Sequence, residues 1–223
     1  MMNCVTVDTV SGAAMIRSLV LAAVHDEIVE RGYREMTMSS LAARAGVNEE
    51  ALRKVFVSKE SVLVAHLDRL GESMIALLSG IARAKEPVPA RVREFLLTRV
   101  LFRFDMLRPW RAHLEHMREA LLLALRRRGP VYVENEARIL ERLLAEGQRA
   151  GVLFWADPEP MARTLLVATS ALLPNESNLT ALPPAGDLRR TAAHLIDVVL
   201  EGAMRGNWTP PSRESPRIDA TAL

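Results

Sequence analysis

The sequence predicts an all-α protein of about nine helices, and three observations lead to this prediction. Apolar residues make up 49% of the chain, and the helix-favouring residues Ala, Leu, Arg and Glu are abundant. Apolar residues recur at three- and four-residue spacing through most segments, as on one face of a helix. Glycines and prolines stand where such segments end, and no segment shows the alternation typical of a strand.

Four helices are predicted in the first third of the chain, after a loose arm at residues 1–12. The first runs from Ala13 to Gly32, a residue type that commonly ends helices. Gly46 lies where the end of the short second helix needs a left-handed residue. Residues able to cap a helix N-terminus precede the second, third and fourth helices: Thr37, Asn48 and Ser58.

Five further helices are predicted in the rest of the chain. The fifth follows Pro87, and Pro109 opens the sixth. The sixth ends at three arginines just before Gly129 and Pro130, a pair that favours a break. The last three helices cover about residues 131–149, 160–173 and 187–204.

The charge of the chain is unevenly distributed. The formal net charge is +2, but residues 83–128 carry twelve Lys and Arg against five Asp and Glu. We interpret these arginines as solvated faces of the fifth and sixth helices, with a second nucleic-acid surface as the alternative.

The sequence carries no sign of secretion or of membrane insertion. Cys4 is the only cysteine, so no disulfide can form within the chain. No apolar run approaches the roughly 20 residues that span a bilayer, and no signal peptide is recognisable. We therefore expect a cytoplasmic protein without a membrane partner.

Residues 37–59 have the pattern of a helix-turn-helix. Two short helices are joined by a tight turn at Gly46, and the second of them would enter the major groove of DNA. The small residues Ala42 and Ala45 allow the two helices to cross closely. Four apolar residues would form the miniature core: Leu41, Val47, Leu52 and Phe56.

The stretch from Ile16 to about Leu67 resembles the TetR family of bacterial regulators. The matching residues are Ala23, Gly32-Tyr33, Thr37, Leu41-Ala42, Ala45-Gly46-Val47, Leu52, Phe56 and Ser58-Lys59-Glu60. The resemblance implies a homodimer that binds a short palindromic operator in double-stranded DNA and is released by a small ligand. It also implies a DNA-binding domain at residues 13–60, a ligand-binding and dimerisation domain at 61–205, and leaves 206–223 as a tail that composition predicts to be disordered.

The helix expected to contact DNA departs from the family pattern. Ala51 and Arg53 replace a usual hydroxyl residue and a usual tyrosine, Val55 replaces a common His or Tyr, and Glu49 and Glu50 place carboxylates near the DNA. The candidate DNA-binding residues are Thr37, Ser39, Arg44, Asn48, Glu49, Glu50, Arg53, Lys54 and Lys59. The alternative is a head that no longer binds an operator and serves as a protein-interaction or ligand-binding module.

The middle of the chain offers candidates for a ligand pocket. By the resemblance, the middle helices would enclose it, and its apolar composition suggests a small hydrophobic ligand. His113 would be its polar group; a metal site of His113 with His116 is the weaker alternative, so no metal and no cofactor are expected. The candidate pocket residues are Phe95, Phe102, Met106, Trp110, His113, Met117 and Phe154.

The last two predicted helices are candidates for the dimer interface, because the resemblance implies that such helices pair with their mates. Their apolar stripes are the candidate residues: Met161, Leu165, Ala168, Leu172, Leu188, Ala192, Leu195 and Val199.

Enzymatic function is not expected, since there is no glycine-rich phosphate loop, nucleophile elbow or triad pattern. The sequence therefore predicts a ligand-responsive transcriptional regulator, with a repressor favoured.

Overall fold

A computed structural model describes residues 5–153 and 157–204, and within these ranges the protein is helical throughout, with no strand. The all-α prediction is confirmed. The described residues form eight α-helices and one short 3-10 helix, in order: α1 Val5–Arg31, α2 Met38–Ala45, α3 Glu49–Val55, α4 Lys59–Ala82, α5 Val88–Leu107, the 3-10 helix Arg108–His113, α6 Leu114–Arg149, α7 Pro158–Ser170 and α8 Ala185–Met204.

The predicted capping residues hold the ends of the short helices. Thr37 Oγ1 accepts a hydrogen bond from the Ser40 amide at 3.0 Å, and Asn48 Oδ1 accepts from the Glu50 amide at 2.8 Å. Ser58 caps α4 in the same way, with the Ser61 amide as donor. Gly46 has φ 66°, a left-handed conformation that a residue without Cβ adopts without strain. These local signals fix where α2, α3 and α4 begin.

Three predicted boundaries are wrong. The first helix begins at Val5, so part of the segment expected to be a loose arm is helical. Pro109 lies in the 3-10 helix, and α6 begins only at Leu114. The predicted sixth and seventh helices are one helix, α6, which continues through Pro130. A proline removes one hydrogen bond to the carbonyl four residues earlier, here that of exposed Arg126, which water can satisfy. Buried residues on both sides of Pro130 keep the helix docked, among them Leu121 and Leu140.

The helices form a small head and a larger body that share α4. Helices α1, α2 and α3 pack on one another, and α4 packs against α1 on one side and against α5 and α6 on the other. In the body, α6 packs against α4, α5 and α7, while α8 covers α5. The domain boundary predicted at residues 60 and 61 falls at the start of α4, and it stays a prediction. The predicted disordered tail, residues 206–223, lies outside the described residues.

Candidate DNA-binding surface and ligand cavity

Helices α2 and α3 pack as a helix-turn-helix against α1. Leu41 and Leu52 have no exposed surface and Phe56 is 3% exposed, so three of the four predicted residues form the miniature core. Val47 is half-buried at its edge. With this core on the inner side, α3 presents its charged residues to solvent.

The charged residues of α3 are paired along the helix. Arg53 Nε donates to Glu49 Oε1 at 2.9 Å, and Lys54 Nζ lies 2.9 Å from Glu50 Oε1. The hydrogen bond from Arg53 lowers the pKa of Glu49, and that from Lys54 lowers the pKa of Glu50. Both carboxylates are therefore ionised at neutral pH, and the two pairs leave this helix face without net charge.

Arg44 is bound to α1. Its Nε donates to Glu27 Oε2 at 2.5 Å, and its Nη2 donates to Glu30. Glu27 is 1% exposed; burial raises its pKa, but hydrogen bonds from Ser40 and Arg44 outweigh burial and leave the pKa below its ordinary value. Arg44 thereby anchors α2 to α1 within the head.

Lys59 and Tyr33 close the turn between α1 and α2. Lys59 Nζ donates to the carbonyl oxygens of Tyr33, Arg34 and Met36 at 3.0–3.2 Å, and it lies 4.8 Å from the centre of the Tyr33 ring. The Tyr33 hydroxyl donates to Glu60 Oε1 at 3.3 Å. These contacts join Tyr33 of the Gly32-Tyr33 motif to Lys59 and Glu60 of the Ser58-Lys59-Glu60 motif.

The nine candidate DNA-binding residues thus fall into two groups. Ser39, Glu49, Glu50, Arg53 and Lys54 lie on or beside the solvent face of the helix-turn-helix, and a hydrogen bond links Ser39 to Glu49. The others have structural partners within the head: Thr37, Arg44, Asn48 and Lys59. Contact of either group with DNA stays a prediction.

A cavity of about 150 Å³ lies in the body between α4, α5 and α6, closed on one side by the segment after α7. Its walls are mostly apolar, with Leu67 and Met74 from α4 and Leu121 from α6. Arg103 and Arg128 contribute the charged part of the wall. Such a mixture, apolar walls with few polar groups, is typical of small-molecule sites.

The predicted pocket residues are only partly brought together at this cavity. Phe102 and Met106 line it. Phe95, Trp110 and Met117 have no exposed surface and pack in the core instead. Two more do not contribute: His113, whose ring lies beside Gly32 at the junction of head and body, and Phe154, which lies outside the described residues.

Asp68 joins α4 to α6 at the rim of the cavity. Arg128 donates to both of its carboxylate oxygens, from Nε at 2.7 Å and from Nη2 at 2.6 Å, and the Tyr132 hydroxyl donates to Oδ1 at 2.5 Å. Burial raises the pKa of Asp68, but the bonds from Arg128 and Tyr132 outweigh burial and lower it overall. Burial and the bond to Asp68 raise the pKa of Tyr132, so the hydroxyl stays protonated and keeps donating.

A second charged group lies deeper, behind Arg103. Arg99 and Glu136 have no exposed surface, and Arg99 Nε donates to Glu136 Oε2 at 2.5 Å. Arg103 donates to the other carboxylate oxygen, and Arg99 Nη1 donates to Thr169 Oγ1 at 2.8 Å. The network connects α5, α6 and α7. The prediction that arginines of this region are solvated is therefore wrong for Arg99, and also for Arg91, which is 7% exposed.

Three rings meet where the head rests on the body. The ring centroids of His25 and His66 lie 5.7 and 5.6 Å from that of Trp110. His66 is 4% exposed; its Nδ1 lies 3.2 Å from the Leu21 carbonyl oxygen, and its Nε2 has no hydrogen-bond partner among the described residues. Burial lowers the pKa of His66 to about 4, so the ring is neutral at pH 7.

The candidate dimer residues divide by burial. Leu165, Leu188 and Ala192 are buried in the core of the chain itself. The remaining five are half-buried: Met161, Ala168, Leu172, Leu195 and Val199. Two apolar residues outside this candidate set are more exposed, Val167 at 72% on α7 and Val198 at 56% on α8.

Sequence reasoning missed the polar wall of the cavity. The sequence predicts Arg128 at the end of a helix, and Asp68, Tyr132 and Arg103 belong to no motif. Gly71 offers a signal, because a glycine inside a helix lowers its stability and often stands where another group packs closely against the backbone. A Cβ at Gly71 would lie 2.6 Å from Tyr132 Cε1.

No metal site and no membrane-spanning helix are found in the described ranges. No three His, Cys, Asp or Glu side chains there are grouped so that they could hold a metal ion. None of the helices in residues 5–153 and 157–204 has the length and apolar character needed to cross a membrane.

Comparison with known proteins agrees with the geometry of the head. Residues 20–65 match the family model described as bacterial regulatory proteins, tetR family. This match covers α2, α3 and the adjoining parts of α1 and α4. No curated protein has a matching sequence.

Solved structures extend the similarity to the body. A TetR/AcrR-family transcriptional regulator from Thermobifida fusca is 23% identical with a TM-score of 0.56, over 81% of this chain and 95% of that one. A TetR-family regulator from Pectobacterium atrosepticum is 21% identical with a TM-score of 0.64, over 87% and 96%. SmeT, the repressor of the Stenotrophomonas maltophilia multidrug efflux pump SmeDEF, is 20% identical with a TM-score of 0.58, over 90% and 96%. At these identities the likeness establishes the fold.

Proposed function

For a chain whose N-terminal domain belongs to the TetR family of bacterial regulatory proteins and whose body shares the fold of TetR-family regulators, we propose a ligand-responsive repressor. It binds a palindromic operator as a homodimer and leaves the DNA when a small molecule enters the cavity. Such a repressor acts in the compartment that holds the DNA, which in bacteria is the cytoplasm.

The observation that carries this proposal is the exposed face of α3. The capped helix packs on the miniature apolar core of the head, and its residues Glu50, Arg53 and Lys54 are exposed to solvent. Arginine and lysine can donate to phosphates or to guanine, and a glutamate can accept from the amino group of cytosine. The side chains of this helix therefore have the chemistry for contacts in a major groove.

The position of the cavity supports regulation by a ligand. Leu67, Leu70, Gly71 and Met74 of α4 form part of its wall, and the same helix packs against α1 of the head. A ligand that favours a different position of α4 therefore also changes the position of the head. Its free energy of binding can shift the equilibrium only by the difference in affinity between the two positions.

A protein-interaction module is the second candidate, and the pairing within the head favours it. Phosphate contacts supply most of the affinity for DNA, yet Arg53 and Lys54 are paired with glutamates and Arg44 with α1. DNA must compete with these pairs. The two candidates therefore differ in whether the arginine and lysine of α3 exchange their carboxylate partners for DNA.

The deciding experiment is the binding of the full chain to DNA that flanks its own gene, compared with random DNA of equal length at several salt concentrations. The repressor proposal expects tighter binding to one flanking fragment, and a loss of at least several-fold on Arg53→Ala. Arg83→Ala is the matched control, since it removes the same charge from an exposed position at the end of α4. Equal, weak binding to all DNA, followed by failure of a genome-wide selection to recover any fragment, favours the interaction module.

A further inference from the structure

The cavity wall combines apolar surface with an excess of positive charge. Arg103 and Arg128 line the cavity, and no carboxylate does so in the part of the chain that the structure describes. The carboxylates that pair with these arginines do not line the cavity: Glu136 is bound to Arg103, and Asp68 is bound to Arg128. A molecule in the cavity therefore meets the guanidinium groups first.

The two clusters of charged side chains at the cavity together have a positive net charge. Glu136 is shared by Arg99 and Arg103, and Asp68 is bound by Arg128. Three guanidinium groups thus stand against two carboxylates, a net charge of +1. The pair of Arg99 and Glu136 has no exposed surface, where charges interact more strongly than in water. An anion in the cavity would offset this excess, and a cation would add to it.

The guanidinium groups also keep donors for a further partner. Each arginine has five N–H groups. Arg128 uses Nε and Nη2 for Asp68, and Arg103 uses Nη1 for the Arg99 carbonyl oxygen and Nη2 for Glu136. A carboxylate is a favourable partner for the remaining N–H groups, because charge-assisted hydrogen bonds are about twice as strong as neutral ones.

The rest of the cavity suits a short apolar chain. It is lined by apolar side chains that offer no hydrogen-bond donor: Leu70, Met74, Phe102, Met106 and Leu121. Its volume of about 150 Å³ compares with apolar cavities that hold a benzene molecule. The arrangement of an apolar space beside two arginines matches a molecule with an apolar tail and an anionic head.

We propose that the effector is a small amphipathic anion, with its acid group at Arg103 and Arg128 and its apolar part against α4, α5 and α6. That the bound molecule is an effector rests on the proposed function, but its binding to the cavity is measured without DNA. In this arrangement Arg103 is a determinant of ligand specificity.

The test compares three six-carbon probes by calorimetry on the full chain at pH 7.5: hexanoate, hexan-1-ol and hexylamine. Hexanoate is expected to bind at least tenfold tighter than hexan-1-ol, and hexylamine weakest. Arg103→Gln is expected to remove most of the preference for hexanoate while leaving the affinity for hexan-1-ol unchanged. Retained hexan-1-ol binding then shows that the variant cavity is folded.

Two further variants make the test specific. Arg163→Gln removes an arginine that is half exposed on α7 and paired with Glu134 and Glu159, and the preference should remain. Arg128→Gln changes a rim residue without touching the buried network, and the preference should decrease. Should Arg103→Gln fail to fold, the Arg128→Gln result decides.

Equal affinity for hexanoate and hexan-1-ol, a preference for hexylamine, or no binding of any probe would overturn the proposal. Its failure is separable from failure of the proposed function. Release of operator DNA by hexan-1-ol as well as hexanoate keeps the repressor and rejects the anionic ligand. Tight hexanoate binding by a chain that binds no DNA keeps the ligand class and rejects the repressor.

Discussion

The Tyr132 hydroxyl on α6 donates to Asp68 Oδ1 on α4 at 2.5 Å, and the Tyr132 ring lies against the bare backbone of Gly71. The ring also forms part of the cavity wall. One side chain therefore sets the spacing of α4 and α6 where a ligand would bind.

Gly71→Ala should lower the free energy of unfolding by about 1–3 kcal/mol, the usual cost of adding a methyl group to a packed interior. The new Cβ would lie 2.6 Å from Tyr132 Cε1 and 2.7 Å from Cζ, and the ring cannot withdraw without weakening its bond to Asp68. Urea unfolding measures the change.

Gly80→Ala on the same helix is the matched control. A Cβ there meets nothing within 4 Å, so the variant should gain roughly 0.5–1 kcal/mol from the lower backbone entropy of alanine in the unfolded chain. A Gly71→Ala variant as stable as Gly80→Ala would show that α4 and α6 are not held at this spacing.

The head could be predicted from sequence in more detail than the body, for a physical reason. The ends of α2, α3 and α4 depend on local hydrogen bonds of Thr37, Asn48 and Ser58, and these residues lie within three positions of their partners. Local interactions of this kind leave a recognisable spacing in the sequence.

The cavity depends on partners that are distant in sequence. Asp68 and Tyr132 are 64 positions apart, and Arg99 and Glu136 are 37 apart. An arginine on a helix has the same local pattern whether it faces solvent or a buried glutamate. The helix break predicted at Pro130 fails for a related reason. The packing of α6 on both sides of Pro130 outweighs the loss of a single hydrogen bond.

Glu136→Gln should lower the free energy of unfolding by about 3–5 kcal/mol, because it leaves the Arg99 guanidinium buried without its counter-charge. Both side chains have no exposed surface. Glu134→Gln is the control, since Glu134 lies on the same helix, is 40% exposed and pairs with Arg163 on α7; its expected cost is below about 1 kcal/mol. Similar losses for the two variants would contradict the prediction.

The protein should lose stability between pH 6.5 and pH 4 through His66. Burial lowers the pKa of His66 to about 4 in the folded chain from an ordinary value of 6.5. The unfolded chain therefore binds the proton first as the pH falls, and stability decreases through this window by about 2 kcal/mol at pH 5 relative to pH 7.5.

Urea unfolding of the wild type and of His66→Gln at both pH values measures this difference. His66→Gln should remove most of it, while His116→Gln, which changes an exposed histidine, should retain it. The same pH dependence in wild type and His66→Gln would assign the effect to other groups.

Glu50→Gln should increase DNA affinity a few-fold, for operator and random DNA alike. Glu50 and Lys54 are 79% and 74% exposed and paired at 2.9 Å, so the substitution frees the ammonium group for phosphate and removes a repelling charge. The slope of log affinity against log salt should steepen by about one unit.

Glu176→Gln makes the same change of charge in a loop of the body, where the carboxylate pairs with Arg126, and should leave DNA affinity unchanged. Weaker operator binding by Glu50→Gln, together with stronger binding to random DNA, would instead assign Glu50 to base recognition.

Val198→Arg should convert a dimer to monomers without unfolding the chain. Val198 is 56% exposed on α8, so an arginine there fits the isolated chain, whereas an apolar interface between α7, α8 and their mates would have to bury the charge. Sedimentation at several protein concentrations measures the association. Val131→Arg is the control, since Val131 is 53% exposed on α6, outside these two helices. A dimer that tolerates Val198→Arg as well as Val131→Arg must associate through another face, and half-buried Leu195 and Val199 would then serve only the packing of α8 onto its own chain.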